Sequence, residues 1–240
     1  MKKICIFAVS MILMTACHKE KEGNQPQMTM TTQKSDVHIR LAGTGEVIID
    51  WGDGTKETHT LFSAPYINDF RIDNKHYYSH TYSKGSPHTT SIFGENITHF
   101  SCDSLRLTKL DVSLNPALFY LACRENELAS LDVSKNPELA ILGCHNNRII
   151  SLDVSKNPKL ENLNCWNNQI TKLDMSNNIK LNFLSCMYNN LSTEALNALF
   201  ETLNDNPSWT TKILYYGTNP GADYCNINIA KLKGWYLSKQ

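Results

Sequence analysis

A mainly β solenoid, with a small β-sandwich-like cap before it and an α/β cap after it, is the fold this 240-residue sequence predicts. Three observations predict it. Cysteine recurs every 21 residues at Cys102, Cys123, Cys144, Cys165 and Cys186. The pairs Leu110-Asp111, Leu131-Asp132, Leu152-Asp153 and Leu173-Asp174 keep the same step, and so do Asn126, Asn147, Asn168 and Asn189. A fixed period of this length marks stacked coils, each unable to bury its apolar face without a neighbour.

The chain opens on Lys2 and Lys3 followed by apolar Ile4 to Met14, which reads as a signal segment over residues 1–16, too short to span a bilayer. Leu13-Met14-Thr15-Ala16-Cys17 resembles a bacterial lipobox, with Met14 the less usual residue. The resemblance implies that Cys17 is lipidated and becomes the first mature residue. Residues 17–26 are a polar tether whose charge run resembles export signals of surface lipoproteins and equally suits a solvated linker. No later apolar run could span a membrane, so a lipid-anchored cell-envelope protein is expected, at the outer membrane or the cell surface.

Composition bounds the partners. The chain is 41% hydrophobic and 19% charged, enough for a packed core. Its formal charge is zero; losing residues 1–16 removes Lys2 and Lys3 and no acid, leaving 21 basic against 23 acidic residues, or −2. Nucleic acid, which needs a basic face, is not an expected partner.

Residues 27–96 read as a β-rich cap. Val37-His-Ile-Arg-Leu41 alternates, as does the stretch through Val47, Ile49 and Trp51, and Gly52-Asp-Gly54 is a turn signal. Asp50-Trp51-Gly52-Asp53-Gly54-Thr55, with His80-Thr81-Tyr82, resembles the polycystic-kidney-disease β-sandwich, although the unit is shorter than a full sandwich. Asp50, Asp53, His76 and His80 could form a site, but hairpin and core polar bonds are enough to explain them. Ile92 and Phe93 run into Ile97 without a linker, so this cap is expected to seat on the first coil.

Residues 97–191 hold five coils. The second has Leu118, Leu121, Cys123, Asn126, Leu128, Leu131, Asp132, Val133, Ser134, Asn136 and Pro137. The first eleven positions of the unit match the leucine-rich repeat pattern. With cysteine in the ladder position, the repeats resemble cysteine-ladder internalins and related bacterial cell-envelope proteins. The Asn column is expected to bond the backbone of its own turn and of the next coil. Leu105 replaces it in the first coil, as befits a terminal repeat.

Two columns could carry chemistry. In-register cysteines have parallel Cβ vectors, unsuited to the dihedral of a disulfide, and a 21-residue step does not build a zinc tetrahedron. Buried thiols acting as small hydrophobes are the expectation. Asp111, Asp132, Asp153 and Asp174, followed by Ser113, Ser134, Ser155 and Ser176, read as turn caps. Calcium is the competing reading, although the unit lacks a Gly-rich, Asp-dense pattern. No cofactor is expected.

Residues 192–240 change period. Ser192 is a candidate N-cap for a helix reaching Leu203, Lys212 to Tyr216 reads as a strand, Asn219-Pro-Gly221 as a turn, and Ile227 to Lys233 as a short helix ending at Gly234. Trp209 and Trp235 read as core.

The cysteine step also locates a face. Outward columns lie three residues before each cysteine (His99, Tyr120, Ile141, Asn162, Phe183), directly before it (Ser101, Ala122, Gly143, Asn164, Ser185) and directly after it (Asp103, Arg124, His145, Trp166, Met187). The small middle column between bulky flanks describes a shallow groove about 19 Å long. Tyr120, Arg124, His145, Trp166, Phe183 and Met187 are the candidate binding residues, since such anchors carry recognition. The leading expectation is a monomeric, non-enzymatic module binding a protein or peptide. A glycan-binding lipoprotein, with Tyr120, Trp166 and Phe183 stacked on sugar rings, and a structural spacer are the alternatives. No nucleophile–base pair or phosphate loop points to an enzyme.

Overall fold

A computed structural model describes residues 25–64, 76–83, 87–206 and 211–239. The signal segment, Cys17 and Trp209 lie outside these residues.

The N-terminal unit begins with β1 (Met28–Thr32), β2 (Asp36–Asp50), β3 (Lys56–Leu61), β4 (Tyr77–Thr81) and β5 (His88–Phe93). The two alternating stretches lie along one 15-residue strand, which ends just before Trp51. Its first half pairs antiparallel with β4 and with β6 (Asn96–Ser101), and its second half with β3 and β5. Glycine makes this possible. A Cβ on Gly43 would stand 1.9 Å from the Asn96 carbonyl oxygen, where the β2–β6 register shifts. Val37, Ile39, Leu41, Val47, Ile49 and Trp51 are all buried, as period-two patterning requires.

The first coil belongs to both halves of the molecule. Its strand β6 pairs antiparallel with β2 on one side and parallel with β8 (Tyr120–Ala122) on the other, while β7 (Leu107–Asp111) pairs antiparallel with β1. The solenoid sheet continues in register through β9 (Ile141–Gly143), β10 (Asn162–Asn164) and β11 (Phe183–Ser185), each step 21 residues. One apolar core runs from Met28 to Trp235, with the five ladder cysteines fully buried in it.

Asparagine stitches the coils. Asn126 Oδ1 accepts from the Leu105 and Leu107 N–H groups at 3.0 and 2.9 Å, while Nδ2 donates to the Cys102 and Cys123 carbonyls. The coil thus bonded is the preceding one, not the following one expected from the pattern. A second column was not expected. Asn136, Asn157 and Asn178 donate to carbonyls 21 and 24 residues earlier, and Asn115 ends the column against Met28 of the cap. Each buried amide spans two coils, so stacking satisfies groups a lone coil would leave unpaired.

The C-terminal part extends the solenoid sheet. Helix α1 (Thr193–Thr202) is capped by Ser192 Oγ, which accepts from the Ala195 N–H. Then β12 (Lys212–Tyr215), α2 (Asn228–Leu232) and β13 (Trp235–Ser238) follow, both strands continuing the parallel sheet from β11. Phe183 pairs with Ile213 and Ile213 with Tyr236, so the coils here are 30 and 23 residues long. Asn219, expected in a plain turn, continues the Asn column by donating to the Cys186 and Tyr216 carbonyls. Lys212 closes this end, its ammonium donating to the carbonyls of Asn204, Asn206 and Lys233 beneath the Trp235 ring.

Candidate functional site: the outward face of the parallel sheet

Alternation along each three-residue strand sends the central leucine inward and its neighbours outward. The registered sheet therefore aligns Ala122, Gly143, Asn164, Ser185 and Tyr215 in one outward row, and Tyr120, Ile141, Asn162, Phe183 and Ile213 in the next. Gly143 leaves a gap in the row between Ala122 and Asn164, and the Arg124 guanidinium folds into it, Nε 2.8 Å from where a Cβ would stand. Around that gap lies a concavity of about 450 Å³ lined by Tyr120, Arg124, Ile141, His145, Asn164, Trp166 and Phe183 among others.

Arg124 is held in place. Its backbone N–H donates to Asp103 Oδ1 at 2.7 Å, its guanidinium donates to the Tyr120 hydroxyl at 3.0 Å, and Nε lies 4.0 Å from Asp103 Oδ2. Nε itself is buried and makes no hydrogen bond. Trp166 lies flat on His145, ring centroids 5.0 Å apart and 15° between planes. Tyr188 meets Trp166 edge-on at 6.3 Å, and Phe183 leans on Tyr215 at 5.8 Å. The result is a concavity floored by Gly143 and the guanidinium that covers it, walled by apolar and aromatic groups, and edged by an asparagine amide.

Five of the six sequence-nominated residues line this concavity: Tyr120, Arg124, His145, Trp166 and Phe183. Met187, half-buried in the same column as Trp166, does not line it. Tyr120 needs correction as an exposed anchor. It is only 1% exposed, in a small apolar cluster with Ala42 and Ala122 against Ala64, Phe119 and Ile141. Residues of the N-terminal unit cover it, which no repeat pattern within the coils could reveal. Its role is to orient Arg124.

Two aromatic side chains escaped the sequence reading. Tyr188 is 51% exposed at φ 51°, in a left-handed position shared by Ser104, Glu125, Asn146 and Asn167 at the same step of the coil. The 21-residue column itself was the missed signal. Tyr215 was hidden by the 30-residue coil, which breaks the ruler.

The other candidates resolve into structure. Asp111, Asp132, Asp153 and Asp174 each accept the N–H of the serine two residues on, at 2.8 to 2.9 Å. Those bonds lower the carboxyl pKa of Asp132, Asp153 and Asp174 below the usual range. His80 Nε2 lies 2.8 Å from Asp53 Oδ2, and its ring stacks on buried Trp51 at 5.0 Å. That hydrogen bond is the first cause holding the Asp53 carboxyl at about 2. Asp50 pairs instead with Lys56, and His76 Nε2 lies 3.2 Å from the Phe62 carbonyl. Among the described residues no three His, Cys, Asp or Glu side chains converge as a metal site. Burial pushes the ladder thiols well above their ordinary pKa, that of Cys186 to about 12.

Neither a known protein family nor any curated protein matches this chain. Solved structures do. The functional domain of InlJ from Listeria monocytogenes, described as including a cysteine ladder, is 35% identical over 55% of this chain and 32% of its own, with a TM-score of 0.39. The internalin InlF from the same organism is 19% identical over 51% of this chain and 42% of its own, with a TM-score of 0.34. The chain thus spans less than half the length of either.

Proposed function

We propose that this protein is a non-enzymatic binding module of the cell envelope that recognises a protein or peptide through the outward face of its solenoid sheet. The observation that carries the reading is the concavity over Gly143, where five sequence-nominated residues border one space. The aliphatic groups in and beside it, set among the aromatic ones, favour a peptide over a sugar. Ile141 and, further along, Ile213 and Met187 offer apolar contact but nothing to a ring of hydroxyls. Exposed aromatic and apolar surface grouped in this way is the usual ground of recognition.

The reading includes an anchor: Leu13-Met14-Thr15-Ala16-Cys17 resembles a lipobox, and lipid on Cys17 would hold the module at a membrane surface. Phase partition in detergent tests this, because Cys17→Ser moves the protein to the aqueous phase if the lipid is there. Peptide and glycan arrays probed with wild type and Trp166→Ala test the recognition. Peptide signals lost in the variant support it; glycan signals lost instead would replace the peptide with a sugar, and signals indifferent to Trp166 would move recognition to another surface.

A further inference from the structure

Asn164 is the exception on its face. In the row just before each cysteine its neighbours carry no side chain or a short one: Ala122, Gly143 and Ser185. Asn164 pairs directly with Gly143 on one side and Ser185 on the other, so its amide stands at the rim of the gap that Gly143 leaves. The asparagines of the two core columns spend their amide N–H groups on coil-to-coil bonds, although Oδ1 of Asn136, Asn157 and Asn178 also lacks a partner. Among the described residues the Asn164 amide bonds to nothing, and its Oδ1 is buried without a partner. Arg124 Nε, across the gap, is likewise buried and makes no hydrogen bond. It lies 2.8 Å from where a Cβ on Gly143 would stand, so both groups border the same space.

A polar atom buried without a partner destabilises the unliganded protein, so these atoms ask for a ligand that supplies what they lack. Asn164 offers one acceptor and an NH₂ donor side by side; Arg124 offers a donor only. A carboxylate or phosphate would suit Arg124 but set acceptors against Asn164 Oδ1, with the Asp103 carboxylate nearby. An extended peptide meets all three demands. In extended chain the N–H and C=O of one residue leave on the same side, the geometry by which strands exchange paired bonds.

We propose that the Asn164 carboxamide clamps the main chain of an extended peptide. Its Oδ1 accepts one residue's N–H, its Nδ2 donates to that residue's carbonyl, and Arg124 Nε donates to a neighbouring carbonyl. Recognition at this point is of uncharged backbone rather than of side-chain sequence, while Trp166, Phe183 and Ile141 receive the flanking side chains. The proposal deepens the peptide-binding reading and rests on it.

The test is a coupling experiment. The strongest binder from a 12-residue peptide array is remade with each backbone amide N-methylated in turn. Binding of every form to wild type, Asn164→Ala and Asn164→Asp is then measured by calorimetry. The expected result is one N-methyl position that weakens wild-type binding roughly 3- to 10-fold and has no further effect on either variant, whose melting temperatures stay at the wild-type value. Asn164→Asp, which keeps the shape but loses the donor, is expected to bind as poorly as Asn164→Ala. If N-methylation weakens wild type and variants alike while Trp166→Ala still abolishes binding, the clamp is overturned and the peptide reading stands. If no peptide distinguishes wild type from Trp166→Ala, both fall. Binding of chitooligosaccharide that depends on Asn164 would assign the amide to a sugar acetamido group and overturn the clamp.

Discussion

Arg124 occupies the space that a side chain on Gly143 would need, its Nε 2.8 Å from the position of the missing Cβ. The glycine and the arginine thus specify one another across neighbouring coils, and together they set the floor of the concavity. Gly143→Ala puts its methyl against the side-chain atoms of Arg124 rather than against backbone, so the guanidinium moves aside only by giving up its bond to the Tyr120 hydroxyl. The expected outcome is a melting temperature within about 3 °C of wild type and peptide affinity reduced several-fold. A loss of stability without loss of binding would show that Arg124 serves the fold alone.

The Asn column predicts a large stability effect from a small truncation. Asn147→Ala removes the acceptor for the Leu128 N–H and the donor to the Cys123 and Cys144 carbonyls. Leaving buried backbone groups unpaired costs about 1–3 kcal/mol each. A loss of at least about 2 kcal/mol by urea denaturation is expected, well above the effect of Lys156→Ala on the exposed side of the coil.

Thiol chemistry separates the cysteine ladder from Cys225. The five ladder thiols are fully buried and their pKa values raised, first by desolvation, so they hold neither access nor thiolate. Cys225 is half-buried, with a smaller upward shift. In a chain carrying Cys17→Ser and lacking the signal segment, a thiol reagent is expected to titrate at most one group in the native state. After denaturation without reductant it titrates six. Fewer than six would reveal bridges.

His99 and Asp53 contribute acid sensitivity in separate windows, Asp53 alongside the turn-capping Asp132, Asp153 and Asp174. Burial, aided by His76, lowers the His99 pKa to about 4. Because the folded value lies below the ordinary 6.5, the fold holds the neutral ring. That stability is complete above pH 6.5 and is lost as pH falls towards 4. Asp53, held at about 2 first by its His80 hydrogen bond, contributes stability above pH 3.8 that is lost as pH falls towards 2. Denaturation midpoints between pH 7 and 2 should therefore fall in two stages, with His99→Gln flattening the upper stage and Asp53→Asn shrinking the lower one without removing it.

Tyr188 couples strain to recognition. It holds φ 51°, a left-handed backbone that costs a bulky residue free energy and that asparagine adopts more readily, as Asn167 and Asn146 do one and two coils before. Tyr188→Asn is expected to raise stability by about 0.5–1 kcal/mol while weakening peptide binding, since the edge contact to Trp166 is lost.

Much of this was legible because a solenoid converts sequence distance into spatial order. A 21-residue step states directly that Tyr120, Ile141, Asn162 and Phe183 share a row, and the sheet register agrees. Ser192 announced α1 by its capping chemistry, and the Asp-x-Ser spacing announced the turn caps. The step failed where coil length changed. Asn219 and Tyr215 continue columns begun at Asn126 and Ala122, but a 30-residue coil holding α1 conceals their place. The single long β2 was concealed as well, because Gly43-Thr44-Gly45 reads as a break in a strand while serving here as a close crossing over Asn96.

The sequence by itself determined the coil, its buried cysteine rail and the direction in which each side chain leaves the strand, because those follow from local alternation and a repeating register. Only the tertiary structure decided which outward residues reach solvent. Tyr120 and Phe183 occupy equivalent positions of the repeat, yet Tyr120 is buried against Ala42 and Ala64 while Phe183 lines an open concavity. Burial depends on whatever comes to lie above a residue. For this face that covering comes from a different unit of the chain, folded back along the sheet edge it shares with the first coil.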